Sequence, residues 1–250
     1  MARYLLVSQL SNTQLFILNL LCITYVVLRV RADLHTHSIY SDGRGDPRDV
    51  IKSALDRGIG LLSITDHDTF KGSLKALEFI RSNGLLHRND FVFIVGNEVR
   101  TVDGDILVLC REYPGTDDTP KLIPELLDWV SENNCVAIPA HPYDILRHGI
   151  GNKVRMFKWH AIEVFNAGAL PIFNWRAAKA AHDLGLPGLA NSDAHVPELV
   201  GVTYTVFELD DLTVESAFKA LVNNRVKPIT HYPGPELILR RLSWSIKRRL

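Results

Sequence analysis

Short apolar runs alternate with helical repeats along most of this chain. In GDPRDVIKSALDRG, Asp46 is placed to cap a helix and Pro47 takes its first position. Val50, Ile51, Ala54 and Leu55 recur at helical spacing, and Gly58 stops the repeat. IGLLSIT then predicts a buried strand ending in Asp66-His67-Asp68. A helix over about 72–82 leads to FVFIVG and Glu98, and a turn at Asp103-Gly104 precedes ILVLC. A helix over about 121–133 feeds CVAIPA and His141, and AIEVF ends at Asn166. A helix over about 174–184, closed by Gly185, precedes LPGLAN, which delivers Asp193 and His195. VTYTVFE and TVESAFKALVNN complete the pattern. Strand–helix alternation predicts parallel strands in a βα architecture. Residues 26–32 read as the first strand, and neither a repeat nor a linker divides the body.

The polar residues that break this pattern are positioned alike. His35 and His37, Asp66-His67-Asp68, Glu98, His141, and Asp193 with His195 each fall just after a predicted strand. In a (β/α) barrel, strand ends of one polarity meet on one face, where active sites are built. His35 and His37, two apart at a strand end, share a side and can chelate one metal. Asp193 and His195 repeat that alternation. His67 between two carboxylates suggests a ligand with oriented neighbours, although either aspartate could cap the next helix. Glu98 follows an apolar strand on which an unpaired buried charge would be costly unless a cation neutralised it. Taken alone, His141 reads as a hydrogen-bonded core imidazole and Asp42 as a turn residue. His87 and His182 read as solvated, and His148 could face substrate.

Composition adds limits. The 250 residues are 46% hydrophobic and 22% charged with a formal net charge of +0, so no chain-wide field gathers nucleic acid from a distance. Cys22, Cys110 and Cys135 are odd in number and widely spaced, which predicts no disulfide framework, a reducing compartment and a cytoplasmic protein. Cys110 and Cys135 read as core residues. The apolar run Leu15–Val30 leaves three readings open: a peripheral packing segment, a short membrane anchor, or translation from an upstream start codon. At the other end, ELILRRLSWSIKRRL places Leu239, Leu242 and Ile246 on one stripe among basic residues. That helix either touches an anionic membrane or RNA, or packs over the bottom of the barrel, the preferred reading.

Together, His35-x-His37…Asp42, Asp66-His67-Asp68, Gly96-x-Glu98, His141-Pro142, Asn166 and Ser192-Asp193-Ala194-His195 resemble the PHP (polymerase and histidinol phosphatase) superfamily. The resemblance implies a distorted (β/α)7 TIM-like barrel over 26–230, between an apolar extension at 1–25 and a basic amphipathic tail at 231–250. It also implies two to three divalent ions (Mn, Fe or Zn). The first would be held by His35, His37, Glu98 and Asp193, the second by Asp42, His67 and His195, and the third by Glu98 with His141. Relatives commonly supply a further histidine to the third ion shortly after the glutamate. Here RTVDGDILVL has none, and Asp105 is the substitute. The tail after His195 looks like the PHP-associated segment of small stand-alone members.

Such a site implies hydrolysis of phosphate mono- or diesters, small nucleotides or RNA or DNA ends, by a metal-bound hydroxide. Asp68 or His195 would shuttle the leaving group's proton. Arg44, Lys71, Arg100, Arg147, His148 and Lys153 are the candidates for phosphate binding. No G-x-S-x-G, C-x5-R or P-loop offers another route. The alternatives are a histidinol-phosphate phosphatase, and a non-catalytic scaffold or nucleic-acid-binding subunit. An amidohydrolase also opens on HxH, but usually keeps a single aspartate on its last strand, against Asp193-x-His195 here.

Overall fold

The computed structural model describes residues 27–85 and 88–248. Among the described residues, nine strands and six α-helices form a mixed α/β fold. β1 (Leu28–Asp33), β2 (Leu61–Ile64) and β3 (Val92–Arg100) are parallel neighbours, joined through α1 (Pro47–Asp56) and α2 (Lys71–Ser82). Asp46 caps α1 in a capping box with Asp49, and Pro47 stands at its start, as the sequence predicts. The parallel order then breaks. β3 returns through a short turn into antiparallel β4 (Asp105–Cys110), which pairs antiparallel with β5 (Cys135–Pro139) beyond α3 (Ile123–Glu132).

On the far side, β1 pairs antiparallel with β8 (Tyr204–Leu209), and β8 with β9 (Val226–Ile229). The seven-stranded order is β5-β4-β3-β2-β1-β8-β9. β6 (Ile162–Asn166) and β7 (Gly188–Asn191), linked by α4 (Pro171–Leu184), form a separate parallel pair. The Thr205 hydroxyl joins that pair to the main sheet, accepting from Ala190 N at 2.8 Å and donating to Ala190 O at 3.0 Å. α5 (Val214–Val222) and α6 (Pro235–Lys247) complete the chain.

The sheet is therefore curled and mixed, where strand–helix alternation predicts parallel strands and the resemblance implies a distorted (β/α)7 barrel. The cause is local. A parallel crossover needs a dozen or more residues, and the turn between β3 and β4 is far too short for one. Thr101 closes it, its hydroxyl accepting from Gly104 N at 3.1 Å. A Cβ on Gly104 would lie 2.6 Å from the backbone of Ile150, so the turn also requires glycine. β9 adds a strand that the apolar pattern does not reveal.

Apolar side chains on both faces hold the layers. Inside the curl, Ile94, Leu107, Leu109, Ile138, Leu189 and Phe207 form one buried cluster. α3 and α4 cover the outer face through Leu126, Val130, Ala177 and Ala180, and α1 and α2 through Val50, Ile51, Ala76 and Ile80. Cys110 and Cys135 occupy paired positions of β4 and β5 and form a disulfide. This corrects the reading of them as unpaired thiols: strand register, invisible in their sequence spacing, sets them side by side.

The apolar run at 15–30 lies mostly outside the described residues, as do Val26 of the predicted first strand, Cys22 and His87. Among the described residues, no helix is long and apolar enough to cross a membrane.

Candidate metal centre

The C-terminal ends of β1, β2, β5 and β7 deliver His35 and His37, His67, His141, and Asp193 with His195 to one place. Glu98 differs from its expected position. It lies inside β3, because the hairpin extends that strand past the point where β2 ends. A parallel bridge from His67 to Glu98 continues the β2–β3 pairing, with Asp68 N bonded to Glu98 O at 3.0 Å. Because β4 runs antiparallel, its first residue, Asp105, comes to the same end. Four overlapping groups offer ligand atoms within 4.8 Å of one another: His37, Asp42, His67 and His195; His35, His37 and Asp193; His35, Glu98 and His141; and His67, Glu98 and Asp105.

Glu98 is the hub. Its Oε2 lies 3.2 Å from each of His35 Nε2, His37 Nε2 and His67 Nδ1, and its Oε1 lies 3.2 Å from His141 Nε2. Asp193 Oδ1 is 3.5 Å from His35 Nε2 and 3.3 Å from His37 Nε2. Asp42 Oδ1 is 3.1 Å from His195 Nε2, and Asp42 Oδ2 is 3.8 Å from His67 Nε2. Metal–nitrogen bonds of about 2.0–2.1 Å at tetrahedral to right angles place neighbouring ligand atoms roughly 3.0–3.4 Å apart. Most of these separations match that spacing. Asp42 Oδ1, His67 Nδ1, Glu98 Oε2 and His141 Nδ1 are buried without a hydrogen-bond partner. Buried polar atoms are ordinarily paired, so the donor set fits divalent cations.

Backbone and charge are adapted to this assembly. His141 (φ 29°) and Asp193 (φ 49°) hold left-handed conformations, which cost energy and cluster at functional sites. The turn at Asp193, rather than strand alternation, brings it beside His195, whose Nδ1 lies 3.3 Å from Asp193 Oδ1. Burial, reinforced by the charge of His37, pushes the His67 and His195 imidazoles down to about 3. Both therefore offer free lone pairs at neutral pH. Burial alone would raise Glu98, but His35 and His67 outweigh it and hold its carboxyl well below the usual range. Burial also opposes Asp193's ionisation, and His35 and Arg147 reverse that.

Glu163, absent from the sequence-derived site, organises these ligands. Its Oε1 accepts from His35 Nδ1 at 3.0 Å and Asn191 Nδ2 at 3.0 Å. Its Oε2 accepts from His141 N at 2.6 Å and Asn166 Nδ2 at 3.0 Å. The carboxylate is 1% exposed. Asp66 similarly ties the segment after His37, accepting from Ser38 N at 2.7 Å, Ser38 Oγ and Ser41 Oγ. Glu163 carries the same signal as Glu98, a charge inside an apolar strand in AIEVF.

The cavity over this cluster, about 320 Å³, is lined by Arg100, Asp105, Arg147 and His148 of the candidate residues. Arg147 pairs with Asp193 and reaches Asn166 Oδ1 at 3.0 Å. His148 Nδ1 is 2.9 Å from Asp105 Oδ1. Burial, then the charge of Glu98, pushes Asp105 up to about 6. Other candidates lie elsewhere. Asp68 takes the Arg100 N–H at 2.9 Å and the Lys121 ammonium at 2.5 Å, and does not line the cavity. Arg44 is bound to Glu198 at 2.5 Å and Lys153 to Asp103, while Lys71 stands exposed at the start of α2. Their loops neighbour the site, but opposite charges or solvent claim the side chains. His160 accepts from Ala137 N at 3.1 Å and is structural, and His182 is solvated as expected.

The C-terminal helix is also displaced from its expected place. α6 lies over the mouth of the site rather than the barrel bottom. Trp244 Nε1 donates to Asp42 O at 2.8 Å, Arg248 pairs with the Asp42 carboxylate, and Arg241 Nη2 is 3.6 Å from Asp193 Oδ2. The basic residues of the tail thus face the clustered acids, a destination that helical periodicity cannot reveal.

Residues 33–148 match the PHP domain family and residues 171–226 the PHP-associated family. The uncharacterized protein MJ1587 of Methanocaldococcus jannaschii is 30% identical over 151 residues, covering 55% of this chain and 82% of that protein. The 5′-3′ exoribonuclease Rnm of Escherichia coli is 39% identical over 70 residues, 28% of this chain but only 22% of its own length. The fold resembles a two-domain protein from Bacteroides vulgatus described as containing a predicted PHP-like metal-dependent phosphoesterase. The TM-score is 0.67 at 19% identity, covering 86% of this chain and 69% of that one. The family matches and the shared fold agree with the cluster of histidines and carboxylates: this chain belongs to the PHP family.

Proposed function

We propose that the protein is a phosphoric ester hydrolase working with two to three divalent ions, of the Mn, Fe or Zn type. Small nucleotides or nucleic-acid ends are its broad substrate class. The observation that carries this reading is Glu98, whose unpartnered Oε2 sits 3.2 Å from three imidazole nitrogens. His35, His37, Glu98 and Asp193 would hold one ion, Asp42, His67 and His195 a second, and Glu98, His141 and Asp105 a third. Bound there, such ions supply Lewis acidity toward phosphoryl oxygens and lower the pKa of a water to near 7. Asp105 would supply an oxygen from the stretch in which relatives commonly place a histidine, which makes this site harder.

The chain's own residues bind and orient the ester. Arg100 and Arg241 give the cavity cations suited to a phosphate dianion, and Arg147 and Arg248 stand beside them paired with Asp193 and Asp42. Glu163 fixes the His35 ring, so its Nε2 faces the cluster. His148, half-exposed and steadied through Nδ1 by Asp105, can hand a proton from its other nitrogen to the departing alkoxide. His195 is committed to Asp42 and Asp193, and Asp68 to Lys121, which leaves His148 the better placed of the three. Partial similarity to an exoribonuclease supports the nucleic-acid-end class.

The test is release of inorganic phosphate from an aryl phosphate with Mn added. Parallel arms use an aryl phosphodiester, short RNA and histidinol phosphate. Turnover that vanishes in His67→Ala and Asp193→Ala supports the reading, and turnover retained in either contradicts it.

A further inference from the structure

A second chamber adjoins the metal-site cavity and shares two of its walls, Arg241 and Ser245. At about 680 Å³ it is the larger of the two. Its floor is the turn Ala167–Pro171, and its roof is α6. Ile238, Leu242 and Ile246, four apart along that helix, point into it, and Tyr232 closes one side. The stripe differs from the one the sequence suggests, because Leu239 faces the groove beside Arg44 instead. Leu237 and Trp244 hold α6 against the core cluster. The chamber-lining residues remain 43%, 52% and 64% exposed, in the order Ile238, Leu242, Ile246. Apolar side chains left open beside a cationic, acid-rich centre are costly unless a ligand covers them.

Arg241 stands at the threshold. Its guanidinium lies so close to the Gly168 backbone that a Cβ there would meet Nη1 at 1.9 Å. Only glycine permits this placement. The side chain is 20% exposed, and the nearby carboxylate oxygen Asp193 Oδ2 is beyond hydrogen-bond reach at 3.6 Å. A largely buried guanidinium held between two cavities, with no tight acceptor among the described residues, is suited to an anion at the junction.

The geometry points to a subsite for the organic group of the substrate. A phosphate sits against Arg241 and the metal centre, and the ring-bearing organic group it esterifies enters the chamber under α6. This deepens the phosphoesterase reading and rests on it. The occupant is a ring rather than an acyl chain, because Ser245 and Arg241 set polar edges among the aliphatic walls, while Asn174 Nδ2 donates to the Tyr232 hydroxyl at 3.0 Å and holds that ring at the chamber's side. The Tyr232 ring is packed 4.8 Å from Phe165 and supplies a rigid aromatic surface.

Calorimetric binding to the metal-replete full chain tests this with phosphonates, whose carbon–phosphorus bond an ester hydrolase does not cut. Phenylphosphonate should bind about tenfold or more tighter than methylphosphonate, as burial of a ring predicts. Hexylphosphonate should fall below phenylphosphonate. The 5′-methylenephosphonate of adenosine separates a nucleoside ring from a simple phenyl. Leu242→Asn with Ile246→Asn should collapse the phenyl-to-methyl ratio toward one, while Leu239→Asn on the same helix leaves it unchanged. Arg241→Ala should weaken every probe. Equal binding of phenyl and methyl probes overturns the proposal, as does a ratio that survives the double substitution in folded protein. A hexyl probe matching phenyl overturns the assignment of a ring. Absence of ester turnover would count against the phosphoesterase reading alone, since these binding ratios do not depend on it.

Discussion

Glu163 Oε1 accepts a hydrogen bond from His35 Nδ1 at 3.0 Å, and that bond fixes which face of the imidazole meets the metal cluster. With Nδ1 occupied, Nε2 is directed at Glu98, His37 and Asp193. Partners of this kind raise ligand basicity and lock the tautomer. Glu163→Gln keeps the shape but removes the charge. Metal affinity measured by calorimetry on the folded variant should fall about 10–100-fold, with some loss of melting temperature because the amide nitrogen cannot accept the two bonds of the oxygen it replaces. Unchanged affinity would show that His35 needs no such orientation.

Metal binding should release a proton. In the metal-free protein, burial opposes His35's charge, but Glu98, Glu163 and Asp193 outweigh it and hold its pKa well above the ordinary value. His35 is thus protonated near pH 7, and a cation must displace that proton. Apparent affinity should rise with pH, and the binding enthalpy should vary with the buffer's ionisation enthalpy. Enthalpies independent of buffer would contradict this.

Gly72 offers a prediction against helix propensity. Alanine is ordinarily better than glycine inside a helix by about 1 kcal/mol. At Gly72 of α2, however, a Cβ would lie 1.8 Å from Asp66 Oδ2 and 2.8 Å from Ser38 Oγ. Asp66 anchors the segments bearing His37 and His67. Gly72→Ala should therefore destabilise by about 1–3 kcal/mol, as overpacking does, and weaken metal binding, read by thermal melts with and without Mn.

Leu126→Ala separates stability from the site. Leu126 is fully buried in α3 and belongs neither to the ligand groups nor to the cavity lining. The cavity should cost about 2–5 kcal/mol in denaturant unfolding, with metal affinity unchanged in the folded protein.

Most of the candidate ligand residues were legible because they follow or interrupt apolar runs, and one polarity of strand end is a strong geometric constraint; Asp42, in a turn, was legible only through the resemblance. What stayed hidden depended on pairing across the sheet. A short turn after Glu98 makes β4 antiparallel, which carries Asp105, named in the sequence only through the resemblance, to the site and sets Cys110 opposite Cys135. Glu163 gave the same local signal as Glu98 but offered no ligand motif around it. Arg241 and Arg248 belong to a helix whose destination is fixed by Trp244 bonding Asp42, a contact over 202 positions that periodicity cannot encode. Asp68 looked catalytic beside His67, yet its left-handed backbone (φ 56°) and Lys121 place it elsewhere.

Metal stoichiometry tests the centre most directly. After equilibration with Mn and removal of unbound ion, elemental analysis should find about two or more equivalents per wild-type chain, as a shared multi-ion site requires. Glu98→Gln should fall below about one equivalent while remaining folded. Wild-type protein that retains no Mn, Fe or Zn, or a Glu98→Gln variant that retains the full complement, would contradict the account.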